Sequence, residues 1–197
     1  MAHSQIAGRV GPNAVTQIRA SLLAQGLDGT VLFDAAGIGS WWVSPPEEMI
    51  PQEEAARLHR AVRETMSPSA AHALLTDAGR RTADYLLAVR IPKPAQFVLR
   101  ALPPRAASWL LLKAISANAW TFAGTGQFSW TSAGHAEVAI AGNPLVAGEA
   151  SITPLCEWHA AVFERLFREL VSPKTTVIET ACRASGGDAC QFRIAWS

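Results

Sequence analysis

The chain has 197 residues, 49% of them hydrophobic and 17% charged, with a formal net charge of +1. That length suffices for one domain with its own core and no disulfide staples. The balanced charge and the lack of a long basic block exclude a nucleic-acid binder, and the N-terminal MAHSQIAGRVG has no apolar core of secretory-signal length.

The charged share falls below the usual quarter of a soluble chain. The apolar surplus and the seven tryptophans suit either a large core or a cavity for a flat apolar ligand. The most apolar stretch, Ala106 to Gly124, holds Lys113, Asn118 and two serines. It is too polar to span a bilayer. A cytoplasmic protein is expected, one able to touch a membrane surface peripherally.

Residues 1–11 are expected to be a flexible N-terminus and residues 12–197 a single ligand-binding domain. From Pro12 to Gln25, Val15, Ile18, Leu22 and Leu23 recur at helical spacing, and Gly26 ends that helix. Val31 to Phe33 reads as a strand or a turn. Trp41 and Trp42 stand in a loop before Pro45-Pro46, where they either cap the core or wall a flat ligand. Pro51 to Met66 is a helix with a first-turn proline. Ser67 caps a second helix that runs to about Ile91, where Pro92 and Pro94 stop it. Shorter helices are predicted over Ala95 to Leu102 and Arg105 to Asn118.

Beyond Asn118 the pattern changes. Trp120, Phe122, Phe128, Trp130 and Val138 to Ile140 lie in glycine-punctuated segments that read as strands. Thr153-Pro154 opens the last helix, whose stripe is Leu155, Trp158, His159, Val162, Phe163, Leu166, Phe167 and Leu170. Thr175 to Cys182 and Cys190 to Trp196 form a hairpin around Ser185-Gly186-Gly187-Asp188.

All three cysteines fall in the last 42 residues. Cys182 and Cys190 flank the hairpin turn, Cys156 lies at the start of the last helix, and Glu179 stands three residues before Cys182. Three thiolates and one carboxylate are the four ligands of a closed zinc site, and soft sulfur selects zinc over magnesium or calcium. The spacing is not that of a zinc ribbon. Small buried hydrophobes or one disulfide, disfavoured in the cytoplasm, explain the residues as well. His159, on the same helix face as Cys156, is a further ligand candidate or a core histidine.

The run from Glu179 to Phe192, ETACRASGGDACQF, resembles the closing motif of the 4-vinyl-reductase domain family, an acidic residue and two cysteines around a glycine-rich turn. In sensor members of that family a cysteine on the preceding helix completes a zinc site, and Cys156 stands in that place. RVGPNA from Arg9, TADYLLAVRIP from Thr82 and AWTFAG from Ala119 narrow the resemblance to the family's bacteriochlorophyll-biosynthesis branch. It covers most of residues 8 to 196.

The resemblance implies an α+β fold, a small antiparallel sheet packed by helices, similar to the ligand-binding domains of nitric-oxide sensors and vesicle-tethering subunits. It also implies dimerisation, association with bacteriochlorophyll-biosynthesis enzymes, a site peripheral to the photosynthetic membrane, and structural zinc on Cys156, Glu179, Cys182 and Cys190. The implied ligand is a magnesium tetrapyrrole of the divinyl protochlorophyllide type. Trp41, Trp42, Tyr85, Trp109, Trp120, Phe122 and Trp130 are the candidate walls for it. Arg90, Lys93 and Arg105 can pair with propionates, and His72, His135 or His159 can ligate magnesium.

Three roles follow: a carrier or accessory factor for 8-vinyl reduction, the 8-vinyl reductase itself, or an assembly factor for magnesium chelatase or a methyltransferase. Hydride transfer needs a nicotinamide or flavin and a motif to hold it. Gly124-Thr125-Gly126 lacks the third glycine of a dinucleotide fingerprint, and three cysteines are fewer than a cluster of iron and sulfur normally takes. No catalytic residue is assigned, and the carrier is the favoured reading.

Overall fold

The computed structural model describes residues 8–196, and the expectation of a flexible N-terminus falls mostly on residues outside that range. Order begins before Pro12. Arg9–Val10 form β1, antiparallel to β2 at Ile50–Pro51, and Val10 is fully buried.

Helix α1 spans Asn13–Ala24 and buries Val15, Ile18 and Leu22, the predicted stripe. Val31 to Phe33 is neither strand nor turn but part of a helix, α2, over Thr30–Ala35. The cause lies just upstream: the Asp28 carboxylate accepts from the Thr30 backbone N–H at 2.9 Å and from its hydroxyl at 2.6 Å. That is the capping chemistry that starts a helix. Trp41 and Trp42 sit on the single turn α3, Ser40–Val43.

The long helices follow as predicted: α4 Gln52–Thr65 and α5 Pro68–Tyr85, where the Ser67 hydroxyl accepts from Ala70 N–H. The end of α5 differs. Leu86–Arg90 continue as a turn of π-helix before Pro92. Helices α6, Lys93–Ala101, and α7, Pro104–Ala117, complete this half. Trp120 and Phe122 read as strand residues in the sequence, but Trp120–Ala123 is a helical turn, α8. Its Thr121 carbonyl accepts from Gly11 N–H at 2.6 Å, which docks the turn onto the β1 segment.

The sheet holds β3 Gln127–Ser132, β4 Ala136–Ala141, β5 Thr176–Ala181 and β6 Ala189–Ala195, in the order β3-β4-β6-β5 and all antiparallel. Val138, Ile140, Cys190, Phe192 and Ile194 turn inward, as strand alternation requires. Helix α9 covers this face. It runs Glu157–Leu170, so Thr153-Pro154 precedes the helix and Cys156 is its N-cap residue.

α9 packs most closely on α5, through Gly79. A Cβ there would stand 2.4 Å from the Trp158 carbonyl oxygen and 2.8 Å from the Ala161 Cβ. Neither neighbour can yield without moving α9. Gly79→Ala should therefore destabilise the protein by about 1–3 kcal/mol, despite alanine's better helix propensity, and chemical denaturation measures it. A second tie is His59. It is buried on α4 and holds the Ala14 carbonyl at 3.0 Å, and burial keeps its ring well below the usual histidine range, so it is neutral.

Candidate functional site

Two features meet on α9: a thiolate cluster at its N-terminus and a cavity along its flank. The cluster is built by three separate devices. The hairpin brings Cys182 and Cys190 together, since the turn over Arg183–Ser185 closes on the Cys182 carbonyl, which accepts from Ser185 and Gly187 N–H at 3.1 and 2.9 Å. Gly186 makes that closure with a φ of 91°, open to glycine. A register shift in β5 between Glu179 and Ala181 then lets Glu179 share the inner face with Cys182.

The third device places Cys156. Arg63 of α4, its side chain 10% exposed, ion-pairs with Glu149 and donates to the Leu145 and Leu155 carbonyls at 2.9 and 3.4 Å. It thereby fixes the loop that ends at Cys156.

The Sγ atoms of Cys156 and Cys190 are 3.2 Å apart, and each is 3.8 Å from Cys182 Sγ. One ligand atom from each of Cys156, Glu179, Cys182 and Cys190 lies within 4.8 Å of the others. These separations are well beyond a disulfide bond of about 2.05 Å, and all three cysteines are free and buried. Asn143, fully buried, donates its amide to Cys156 Sγ at 3.3 Å and Cys190 Sγ at 3.4 Å, and its own oxygen is held by Leu145 N–H. Such outer hydrogen bonds orient ligating sulfur. Glu179 accepts from Cys156 N–H through Oε2 at 2.8 Å, while its Oε1 is buried with no hydrogen-bond partner.

The electrostatics call for a cation. Hydrogen bonds from Cys156 and Cys182 hold the Cys190 thiol down to about 3, while the same contacts drive Cys156 far above its ordinary range. Burial pushes Glu179 up to about 8. Four acids therefore share too few protons in a dry space, and a divalent cation replaces those protons and takes the orphaned Glu179 oxygen.

The cavity has a volume of about 1420 Å³ and lies between α9 and a wall made by α5, the π-turn, α6, α7 and α8. Small-molecule pockets commonly run about 300–1,000 Å³, so this one takes a large ligand. Trp158, His159, Val162, Phe163 and Leu166 of α9 form one side. Of the seven aromatic candidates from the sequence, Tyr85, Trp120 and Phe122 line it, together with Arg90 and His159.

The other four aromatics stand elsewhere. Trp42 packs on Phe33 at 5.4 Å and carries the Arg19 guanidinium at 5.5 Å, with Trp41 beside it on α3. Trp130 faces inward on β3 and packs on the core, and Trp109 is 49% exposed on α7 under Lys113. Lys93, Arg105, His72 and His135 are also outside the lining, and His135 contacts Glu137 at 3.1 Å.

His159 is 2% exposed, its Nε2 has no hydrogen-bond partner, and burial lowers its pKa to about 3. Trp158 Nε1 is likewise unpartnered. The sequence did not single out Val162, Phe163, Leu166 or the π-turn as wall. A helix stripe facing a cavity has the same period as one facing a core.

A model of the V-4-R domain, the 4-vinyl-reductase type, matches residues 136–195, the stretch from β4 through β6 that carries the whole cluster. The fold and site are thus those of a protein with a 4-vinyl-reductase domain. Two curated relatives match nearly the full chain. The bacteriochlorophyll synthase 23 kDa chain of Cereibacter sphaeroides is 47% identical over 189 residues, covering 96% of this chain and 91% of the relative. Its counterpart of the same name from Rhodobacter capsulatus is 40% identical over 185 residues, covering 93% and 85%. The chain belongs to the family of these 23 kDa chains. A solved structure of an H-NOX protein from S. oneidensis in the Fe(II)NO ligation state shares the fold, at a TM-score of 0.51 and 10% identity over 95% of this chain and 99% of that one. The α+β architecture expected from the sequence is therefore observed.

Proposed function

We propose that this protein is a carrier for a magnesium tetrapyrrole in bacteriochlorophyll synthesis, an accessory factor that holds a divinyl protochlorophyllide-type intermediate and presents it for 8-vinyl reduction. The observation that carries the reading is the large apolar cavity on the flank of a helix whose start is pinned by four convergent ligands. Membership in a family named for bacteriochlorophyll synthase supplies the pathway.

Physical chemistry supports the fit. A flat macrocycle buries both faces against Tyr85, Phe122, Trp158 and Phe163, and one fully buried large apolar side chain contributes about 1.5–3 kcal/mol. Several such contacts reach micromolar affinity after the costs of association. Arg90 stands in the lining to pair with a propionate, and His159 offers a neutral imidazole to magnesium.

The cluster fits zinc. Zinc–sulfur bonds of about 2.3 Å in a tetrahedron put the sulfurs about 3.8 Å apart, which two of the three pairs already match at 3.8 Å. With four protein ligands no coordination position stays open, so the ion's role is to tie α9 to the hairpin and hold the cavity wall.

Titrating the purified protein with divinyl protochlorophyllide should shift the Soret band and quench tryptophan emission, with saturation near one ligand per chain. Adding NADPH anaerobically to that complex should leave the 8-vinyl group intact. Turnover without another protein makes the chain a reductase, and an unchanged spectrum ends the carrier reading.

A further inference from the structure

We propose that the mouth of the cavity is a docking face for an anionic lipid surface. Residues 85–136 contain five lysines and arginines and no aspartate or glutamate. The same stretch supplies six of the twelve large hydrophobic side chains exposed among the described residues: Val89, Phe97, Val98, Trp109, Leu110 and Trp120.

These side chains border the opening. Val98, Leu110 and Trp120 line the cavity and are 49%, 37% and 59% exposed, so they form its rim. Phe97 and Trp109, 75% and 49% exposed, are the chain neighbours of two rim residues and carry the apolar surface outward. Contiguous exposed apolar surface of this kind marks an interaction site.

The charges choose the partner. Among the described residues, Arg90, Lys93, Arg105 and Lys113 form no ion pair with a carboxylate, while Arg100 reaches Glu169 at 3.4 Å. Lys113 lies over the Trp109 ring at 5.1 Å, an aromatic body with a cationic tip, as at a membrane interface. A protein partner with an apolar patch needs no such uniform sign. An anionic bilayer uses both features, since apolar side chains enter the headgroup layer and basic ones meet its negative potential. No helix of the described residues is long and apolar enough to cross a membrane, so contact here is at the surface. The inference stands on the rim and its charge, apart from any pigment.

The test is flotation of pigment-free protein with phosphatidylcholine vesicles, with and without a third of phosphatidylglycerol. The protein should float with the anionic vesicles and stay behind with the neutral ones. Raising salt from about 0.05 to about 0.5 M should reduce the bound fraction several-fold by screening. The double variant Phe97→Glu with Trp109→Glu should lower partition by at least about tenfold, and Lys93→Glu with Arg105→Glu should do so independently. Unchanged metal content and circular dichroism certify that both variants fold. Equal partition on the two vesicle types overturns the proposal, as does full binding by either variant. So does a wild type that ignores vesicles and forms a dimer that the Phe97/Trp109 variant breaks, because the face then belongs to a second copy.

Discussion

Cys190→Ser should empty the metal site and lower the melting temperature by roughly 10 °C, corresponding to about 4 kcal/mol for a chain of this size. Cys190 has no solvent exposure and contacts both other thiols, at 3.2 and 3.8 Å, as well as the Asn143 amide. A serine hydroxyl is shorter and harder, and it stays protonated at neutral pH, so it cannot replace a thiolate on zinc. Elemental analysis should fall from about one zinc per chain to none, because binding energy of this kind is folding energy.

Cys190→Ala separates this account from simple packing. If the sulfur were only a small buried hydrophobe, alanine would cost about 1 kcal/mol and serine more, since serine adds an unpaired hydroxyl. Loss of a metal instead makes the two variants nearly equal and both severe. A wild type without metal, with the alanine variant stable, would remove zinc from the structure.

The cluster was the most legible feature of the sequence, and the reason is topological. A hairpin of fixed register needs no tertiary information to bring Cys182 and Cys190 together. Cys156 required the relation of α9 to the sheet, which the residues alone leave open and the family motif supplied. Helix starts at Pro68 and Pro104 were also readable, because proline's fixed backbone angle acts locally. The errors came where short apolar runs have no period to read. Val31 to Phe33 takes its helix from Asp28, and Trp120 to Phe122 from docking on Gly11. Aromatic content marked three cavity residues, Tyr85, Trp120 and Phe122, and missed α9, because its apolar face carries no mark that tells a void from a packed neighbour.

Val162→Trp should weaken tetrapyrrole binding by at least about tenfold, or about 1.4 kcal/mol, while leaving the zinc content unchanged. Val162 lies mid-helix on α9, lines the cavity and is 8% exposed. An indole there points at open volume rather than at packed atoms, so the usual penalty of about 1–3 kcal/mol for enlarging a core residue should stay at its lower end. It occupies the slot that a planar macrocycle needs, and rigid rings cannot bend around it. Trp130→Phe is the matched control. Trp130 packs on the core from β3 but is not part of the cavity wall, so losing its indole should cost stability and leave affinity within about twofold. Soret titrations of both variants at one temperature give the comparison. If Val162→Trp binds like the wild type, the pigment does not enter this cavity, and the carrier reading fails on geometry even with the metal site intact.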